Sequence, residues 1–150
     1  MDGPDEIDWK LLNLLQDNSR ISYNDLAEAL NMSQSGVYER VKRLRSKKII
    51  TKFTTLVDPK KVGKNVEAYV RLIIEPKESK NAVKKLVTAT GVQRLYSITG
   101  DYNLLVYIVS EDMGSFNTLL EEISKIPGSK QHEVLMVLAR LKDETKLHPG

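Results

Sequence analysis

The sequence predicts an α+β fold: a helical N-terminal domain, a β-prone connector and a C-terminal domain of βαββαβ order. Three observations carry this. Residues 5–45 repeat apolar side chains at helical spacing between residues that suit helix caps. Residues 49–57, Ile-Ile-Thr-Lys-Phe-Thr-Thr-Leu-Val, are rich in β-branched side chains and are stopped by Asp58-Pro59. Beyond residue 66, strand-like and helix-like runs alternate in the order of a split β-α-β, or ferredoxin-like, arrangement. The expected domains are 1–50, a linker over 51–65, and 66–150.

Each element has a local reason. Asp5 caps a first helix with apolar positions at Ile7, Leu11, Leu14 and Leu15. Ser22 with Asp25 three residues on opens a second, whose buried stripe is Leu26, Ala27 and Leu30. Asn31 tolerates the left-handed backbone of a tight corner, Met32 plugs it, and Ser33 caps a third helix that buries Val37, Val41 and Leu44. In the second half, strands are expected over about 66–75, 93–99, 103–110 and 133–141, with helices over 79–90 and from Asp112 or Ser115. Gly100-Asp101-Tyr102-Asn103 is a hairpin-turn signal, and Pro127-Gly128 ends the last helix. The apolar runs 104–109 and 134–139 do not alternate, which reads as burial on both faces. Two helices cover only one face of a four-stranded sheet, so the pattern predicts a second copy over the other.

Composition narrows the chemistry. With 41% hydrophobic and 29% charged residues the chain is expected to be globular, and no apolar run approaches the roughly 18 residues of a membrane span. A soluble, cytoplasmic protein is the expectation. Cysteine is absent and the only histidines are His132 and His148, which leaves no His/Cys spacing for a metal and no thiol nucleophile. The eight glycines match no phosphate-cradling loop, and neither histidine has a nucleophile-elbow neighbour. No cofactor, metal or catalytic set is expected, and the protein reads as a non-enzyme.

Charge is strongly segregated. Residues 1–39 sum to −6, residues 40–65 to +9, and residues 66–150 to zero. The positive block begins on the third helix. A helix pair with a tight corner and a polar, basic second helix is a helix-turn-helix, which lays that helix in the DNA major groove. Ser33, Gln34, Ser35, Tyr38 and Glu39 stand near the helix start, where base edges are read, and Arg40, Lys42, Arg43 and Arg45 follow, where phosphates are neutralised. Two rival readings exist: an RNA-binding sheet carrying Tyr69, Tyr96 and Tyr107, disfavoured because that sheet is expected to lack the basic residues of an RNA platform, and an amino-acid-sensing regulatory subunit of an enzyme.

The residues Asp8-Trp9-Lys10-Leu11-Leu12, Asn18-Ser19-Arg20-Ile21-Ser22, Asp25-Leu26-Ala27, Met32-Ser33 and Val37-Tyr38-Glu39-Arg40-Val41-Lys42-Arg43-Leu44 resemble the N-terminal domain of Lrp/AsnC, or feast/famine, transcriptional regulators. The likeness continues through Ile49-Ile50, Thr99-Gly100-Asp101-Tyr102-Asn103 and Ile126-Pro127-Gly128. It implies a winged helix-turn-helix joined by a linking strand to a ferredoxin-like domain, in homodimers that assemble into tetramers or octamers on double-stranded DNA. It also implies an amino-acid effector between C-terminal domains, near Thr99, Gly100, Asp101, Tyr102 and Asn103 with His132 across the interface. A polar pair such as Asn103 and His132 favours glutamine or asparagine as that effector.

Overall fold

A computed structural model of the chain describes residues 3–149, with the side chain of His132 outside that description. Two compact units result: residues through Leu56 together with those from Lys142 onward, and Val57–Leu141.

The helical unit contains α1 (Glu6–Asp17), α2 (Tyr23–Leu30) and α3 (Gln34–Ser46). Asp5 and Asp8 form a reciprocal capping box at the start of α1, with each side chain accepting the other's backbone N–H. Asn31 is left-handed at the α2–α3 corner (φ 51°), and Ser33 accepts the Gly36 N–H at 3.1 Å to cap α3. Val37, Val41 and Leu44 are buried against Leu11, Leu12, Leu26 and Ala27, so the helical period of α3 was legible. Ile7, expected inside, is exposed, and Leu12 is buried instead. The chain's last residues belong here too. Gln16 exchanges two hydrogen bonds with the Leu147 backbone (3.0 and 2.8 Å), and Lys146 Nζ sits 2.6 and 2.8 Å from the Asp17 carboxylate oxygens. Of the expected C-terminal domain of 66–150, residues 142–149 therefore group with the helical unit.

Residues 51–58 form no hydrogen-bonded strand within the described chain. Their β-branched character suits extended backbone, but a strand is held by a partner's N–H and C=O groups, and this segment has none among the described residues.

The second unit comprises β1 (Val66–Ile74), α4 (Ser79–Thr88), β2 (Val92–Ser97), β3 (Leu104–Ser110), α5 (Met113–Ser124) and β4 (Ser129–Met136). The strands form one antiparallel sheet in the order β2-β3-β1-β4, the ferredoxin-like order. Val66, Ala68, Val70, Leu72 and Ile74 of β1 and Leu104, Val106 and Ile108 of β3 pack with Leu86, Phe116, Leu119 and Ile123 of the helices. Gly128 has φ +80°, and a Cβ there would lie 2.7 Å from Glu78 Cβ, so the turn into β4 requires glycine. The last strand lies earlier than the expected 133–141. Ala68 pairs with Met136 and β1 begins at Val66, so beyond Met136 the ladder is almost out of partner; Val137 N–H reaches Glu67 O at 2.9 Å, and Leu138 and Leu141 are exposed.

The face away from the helices also departs from expectation. Tyr107 and Val109 are already buried within one chain. Tyr69 packs on Tyr107 with centroids 5.0 Å apart, and Arg94 lies 5.5 Å over the same ring. The face therefore carries Arg71 and Arg94 beside its tyrosines, which corrects the expectation that it lacks bases. Arg71 is neutralised by an ion pair with Glu133. Tyr96 and Leu135 remain exposed.

Candidate functional site

Helix α3 presents three different surfaces. Its core side is Val37, Val41 and Leu44. One flank carries Tyr38, Lys42 and Arg45, spaced so that they share a helical face. Tyr38 leans on Tyr23 at the start of α2 (centroids 5.9 Å, tilted 59°), and Lys42 Nζ lies 6.0 Å from the Tyr38 ring. With Ser46 and Thr51 these side chains line a cleft of about 360 Å³. At the helix start Gln34 Nε2 donates to Asn24 Oδ1 at 2.8 Å, and the Ser33 and Ser35 hydroxyls are 3.1 Å apart. Ser33 is thus engaged as a cap, while Ser35, Tyr38, Glu39, Lys42 and Arg45 are exposed.

The other flank differs from expectation. Arg40 and Arg43 turn back onto α1. Arg40 Nη1 bonds Asp5 Oδ2 at 2.7 Å and Asp8 Oδ1 at 2.8 Å; Arg43 Nη2 bonds both Asp8 oxygens, at 2.7 and 2.6 Å. The hydrogen bond from Arg40, then that from the Asp8 backbone, holds the Asp5 carboxyl below its usual range, and the Asp5 carboxylate, then that of Asp8, raises Arg40. Four of the residues that made the charge segregation so steep are therefore paired with one another. The sequence signal for this was present but ambiguous: Asp5 and Asp8 at i, i+3 are explained by helix capping alone.

In the sheet domain, Thr99, Gly100, Asp101, Tyr102 and Asn103 come together in the connection from β2 to β3. Gly100 has φ +109° with open space where a Cβ would point, so backbone conformation rather than crowding selects glycine. Thr99 and Asp101 are exposed; Tyr102 is half-buried under the Arg71 guanidinium, 4.6 Å from its ring centre. Asn103 is not a free polar group. Its Oδ1 accepts the Ile74 N–H at 3.0 Å and its Nδ2 donates to the Ile74 carbonyl at 2.6 Å, so the side chain acts as one more rung at the end of β1. His132 pairs through its backbone with Leu72, which also pairs with Leu104, leaving it two strand positions from the turn. Arg71, Glu133 and Tyr23 were not singled out as site residues from the sequence, because helical or strand period says nothing about which distant element they meet.

A recognition helix held by a tight corner, joined to a sheet domain with an exposed glycine turn, defines a two-domain DNA-binding regulator with a separate ligand-binding module. Residues 4–51 match the winged helix-turn-helix DNA-binding family, and residues 67–147 match the Lrp/AsnC ligand binding domain. The chain belongs to the Lrp/AsnC family of transcriptional regulators. It is 33% identical over 144 residues to the HTH-type transcriptional regulator Ptr1 of Methanocaldococcus jannaschii, covering 95% of this chain and 97% of that one. With the regulator FL11 of Pyrococcus furiosus it shares 29% over 143 residues, 95% of each. Among solved structures, Escherichia coli AsnC superposes with a TM-score of 0.88 at 26% identity (95% and 97% covered), and a Neisseria meningitidis transcriptional regulator in complex with L-Met with 0.88 at 25% (95% of each). These relatives are transcriptional regulators, and no catalytic family is indicated. No helix among the described residues is long and apolar enough to cross a membrane.

Proposed function

We propose that this regulator binds double-stranded DNA sequence-specifically through α3 and is modulated by an amino acid bound at the β2–β3 turn. The observation that carries the DNA reading is the layout of α3: hydrogen-bonding side chains Gln34, Ser35, Tyr38 and Glu39 lead, and exposed cations Lys42 and Arg45 follow on the side away from the core. Arg43 joins them in part, while Arg40 serves the fold. For the ligand, the backbone N–H groups of 99–102 donate no hydrogen bond to the described residues, and an amino-acid carboxylate is an acceptor they fit. The relative solved with L-Met supports an amino acid as the class. Because the Asn103 amide is engaged by Ile74, the reason to favour glutamine or asparagine falls away. Homodimers and larger assemblies fit the half-covered sheet face, with Tyr96 and Leu135 exposed on it.

The test is a gel shift with the DNA upstream of the protein's own gene, repeated with a panel of free amino acids. Retardation that exceeds that of an unrelated duplex, and changes with one amino acid, supports both halves. Equal retardation of every duplex overturns sequence specificity. A complex indifferent to every amino acid at millimolar concentration overturns the effector.

A further inference from the structure

We infer that Asp8 is a positioning residue for DNA binding: buried at the start of α1, it holds one nitrogen of Arg43 and thereby presents the rest of that guanidinium to a DNA phosphate. The inference rests on the DNA reading of α3 and deepens it. The Asp8 side chain is only 3% exposed, against 45% for Arg43 and 20% for Arg40. Its two oxygens accept the Asp5 N–H, Arg40 Nη1 and Arg43 Nη2, which fills the roughly four acceptor sites of a carboxylate. Arg40 closes the inner side of this network, since its Nη1 is shared between Asp5 and Asp8. Arg43 is used differently. Only Nη2 is engaged among the described residues, so Nη1 and Nε remain on a half-exposed side chain one helical turn beyond Glu39.

A guanidinium carries five donors in a planar fork, so fixing one end aims the others. Lys42, by contrast, is exposed and its nearest acid is Glu39 at 3.9 Å, so it meets phosphate as a mobile point charge. Asp8 does not repel DNA as an exposed acid would, because it is out of solvent and its charge is met by the arginines that hold it. The negative charge is spent inside the protein, and the geometry it imposes is felt outside.

The experiment is fluorescence anisotropy of the full-length protein on a mixed-sequence DNA duplex across a KCl series, for wild type, Asp8→Asn, Arg43→Ala, Arg43→Lys, Lys42→Ala and the Asp8→Asn/Arg43→Ala double variant. Losing one phosphate contact lowers the slope of log affinity against log salt by about 0.9. The expected result is that drop in Arg43→Ala, the same drop in Asp8→Asn, and no further loss in the double variant. Arg43→Lys should fall with them, because a lysine has one charged head and Asp8 takes it. Asp8→Asn with wild-type or steeper slope, or a double variant that sums the two losses, overturns the inference. Should Asp8→Asn fail to fold by circular dichroism, Arg43→Lys decides: binding like wild type means no aimed fork is needed. A slope lowered by Lys42→Ala and untouched by Arg43→Ala sinks this inference while the DNA reading stands. A wild type that binds no duplex sinks the reading itself.

Discussion

Asp8 in the helical unit and Glu67 in the sheet domain are both carboxylates folded out of water, and the two networks around them serve opposite ends. Glu67, 4% exposed, accepts the Tyr107 hydroxyl at 2.5 Å and Arg140 Nη2 and Nε at 2.7 and 3.1 Å. Tyr107 and Arg140 also bond each other at 3.1 Å, so the three side chains close into a ring that fastens the segment after β4 back over β1. Asp8 instead sits between two arginines of α3, one of which keeps an outward edge. A closed ring fixes chain direction; an open one fixes a side chain for use elsewhere. Burial of an acid is thus not by itself a sign of function, and the useful question is which part of the chain its partners fasten.

Acid is the broadest way to break both networks. Burial pushes the Glu67 carboxyl up, but hydrogen bonds from Tyr107 and Arg140 outweigh it, and Glu67 sits below its usual value of 4.5; Asp5 sits below 3.8. For groups lowered by folding, the contribution to stability is complete above the unfolded values and is lost as pH falls through the folded ones. Urea unfolding should give constant stability down to about pH 5 and a steep loss below 4.5. Tyr107 gives the opposite limb. Burial first, then the bond to Glu67, raises it above 10.0, so the folded state keeps its proton longer and stability falls as pH climbs past 10.0. Glu67→Gln should flatten the acid limb; an unchanged limb would place the acid sensitivity elsewhere.

Arg140→Ala is the largest single substitution. It strands Glu67, a buried carboxylate, with the tyrosine as its one side-chain hydrogen-bond donor among the described residues, which should cost about 3 kcal/mol, the low end for a broken buried pair because Arg140 is itself 34% exposed. The truncation Asp8→Ala should cost less, about 2 kcal/mol, because Arg43 can swing into water and Arg40 keeps its bond to Asp5. Thermal melts of the two variants test the ordering, and equal losses would mean the open and closed networks are energetically alike.

What the sequence showed and what it hid divide along the same line. The α3 stripe of Val37, Val41 and Leu44, the Asn31 corner, the Ser33 cap and the order of strands and helices are local patterns, and they were readable. The Arg40–Asp5, Asn103–Ile74 and Glu67–Arg140 contacts join residues 35, 29 and 73 positions apart, so no periodicity encodes them. The charge block told the same half-truth: it marks α3 as strongly basic by composition, yet Arg40 and part of Arg43 are consumed by acids counted in the preceding block. The end of β4 was missed because the apolar run continues through Val137, Leu138 and Ala139 and looks like strand, and only the length of β1 says where its partner ends.

Asn103 sharpens the comparison inside the candidate ligand turn. If its amide is a rung rather than a ligand group, Asn103→Ala should cost about 1–2 kcal/mol from the two lost hydrogen bonds, and it should loosen the turn without changing which amino acid is preferred. Calorimetric titration of the variant against the panel checks this, and a reversal of preference would return Asn103 to the ligand.

The smallest expected effect is at Ser33, where a cap and a base reader make different demands. Its Oγ accepts the Gly36 N–H and lies 3.1 Å from the Ser35 hydroxyl, so the lone pair that faces the helix is already committed. Replacing an N-cap serine by alanine typically costs about 1 kcal/mol, and by glycine only a few tenths, because glycine lets water reach the orphaned N–H groups. A cap therefore predicts that Ser33→Ala melts at a lower temperature than Ser33→Gly, while both variants rank DNA sequences as the wild type does. A residue that read bases through its hydroxyl would show the other pattern. Both variants would lose discrimination equally, by about 1–3 kcal/mol at one base position, whatever their melting temperatures. Measuring melting and sequence preference on the same two proteins separates the roles, and lost discrimination in Ser33→Gly at near-native stability would make Ser33 a reader after all.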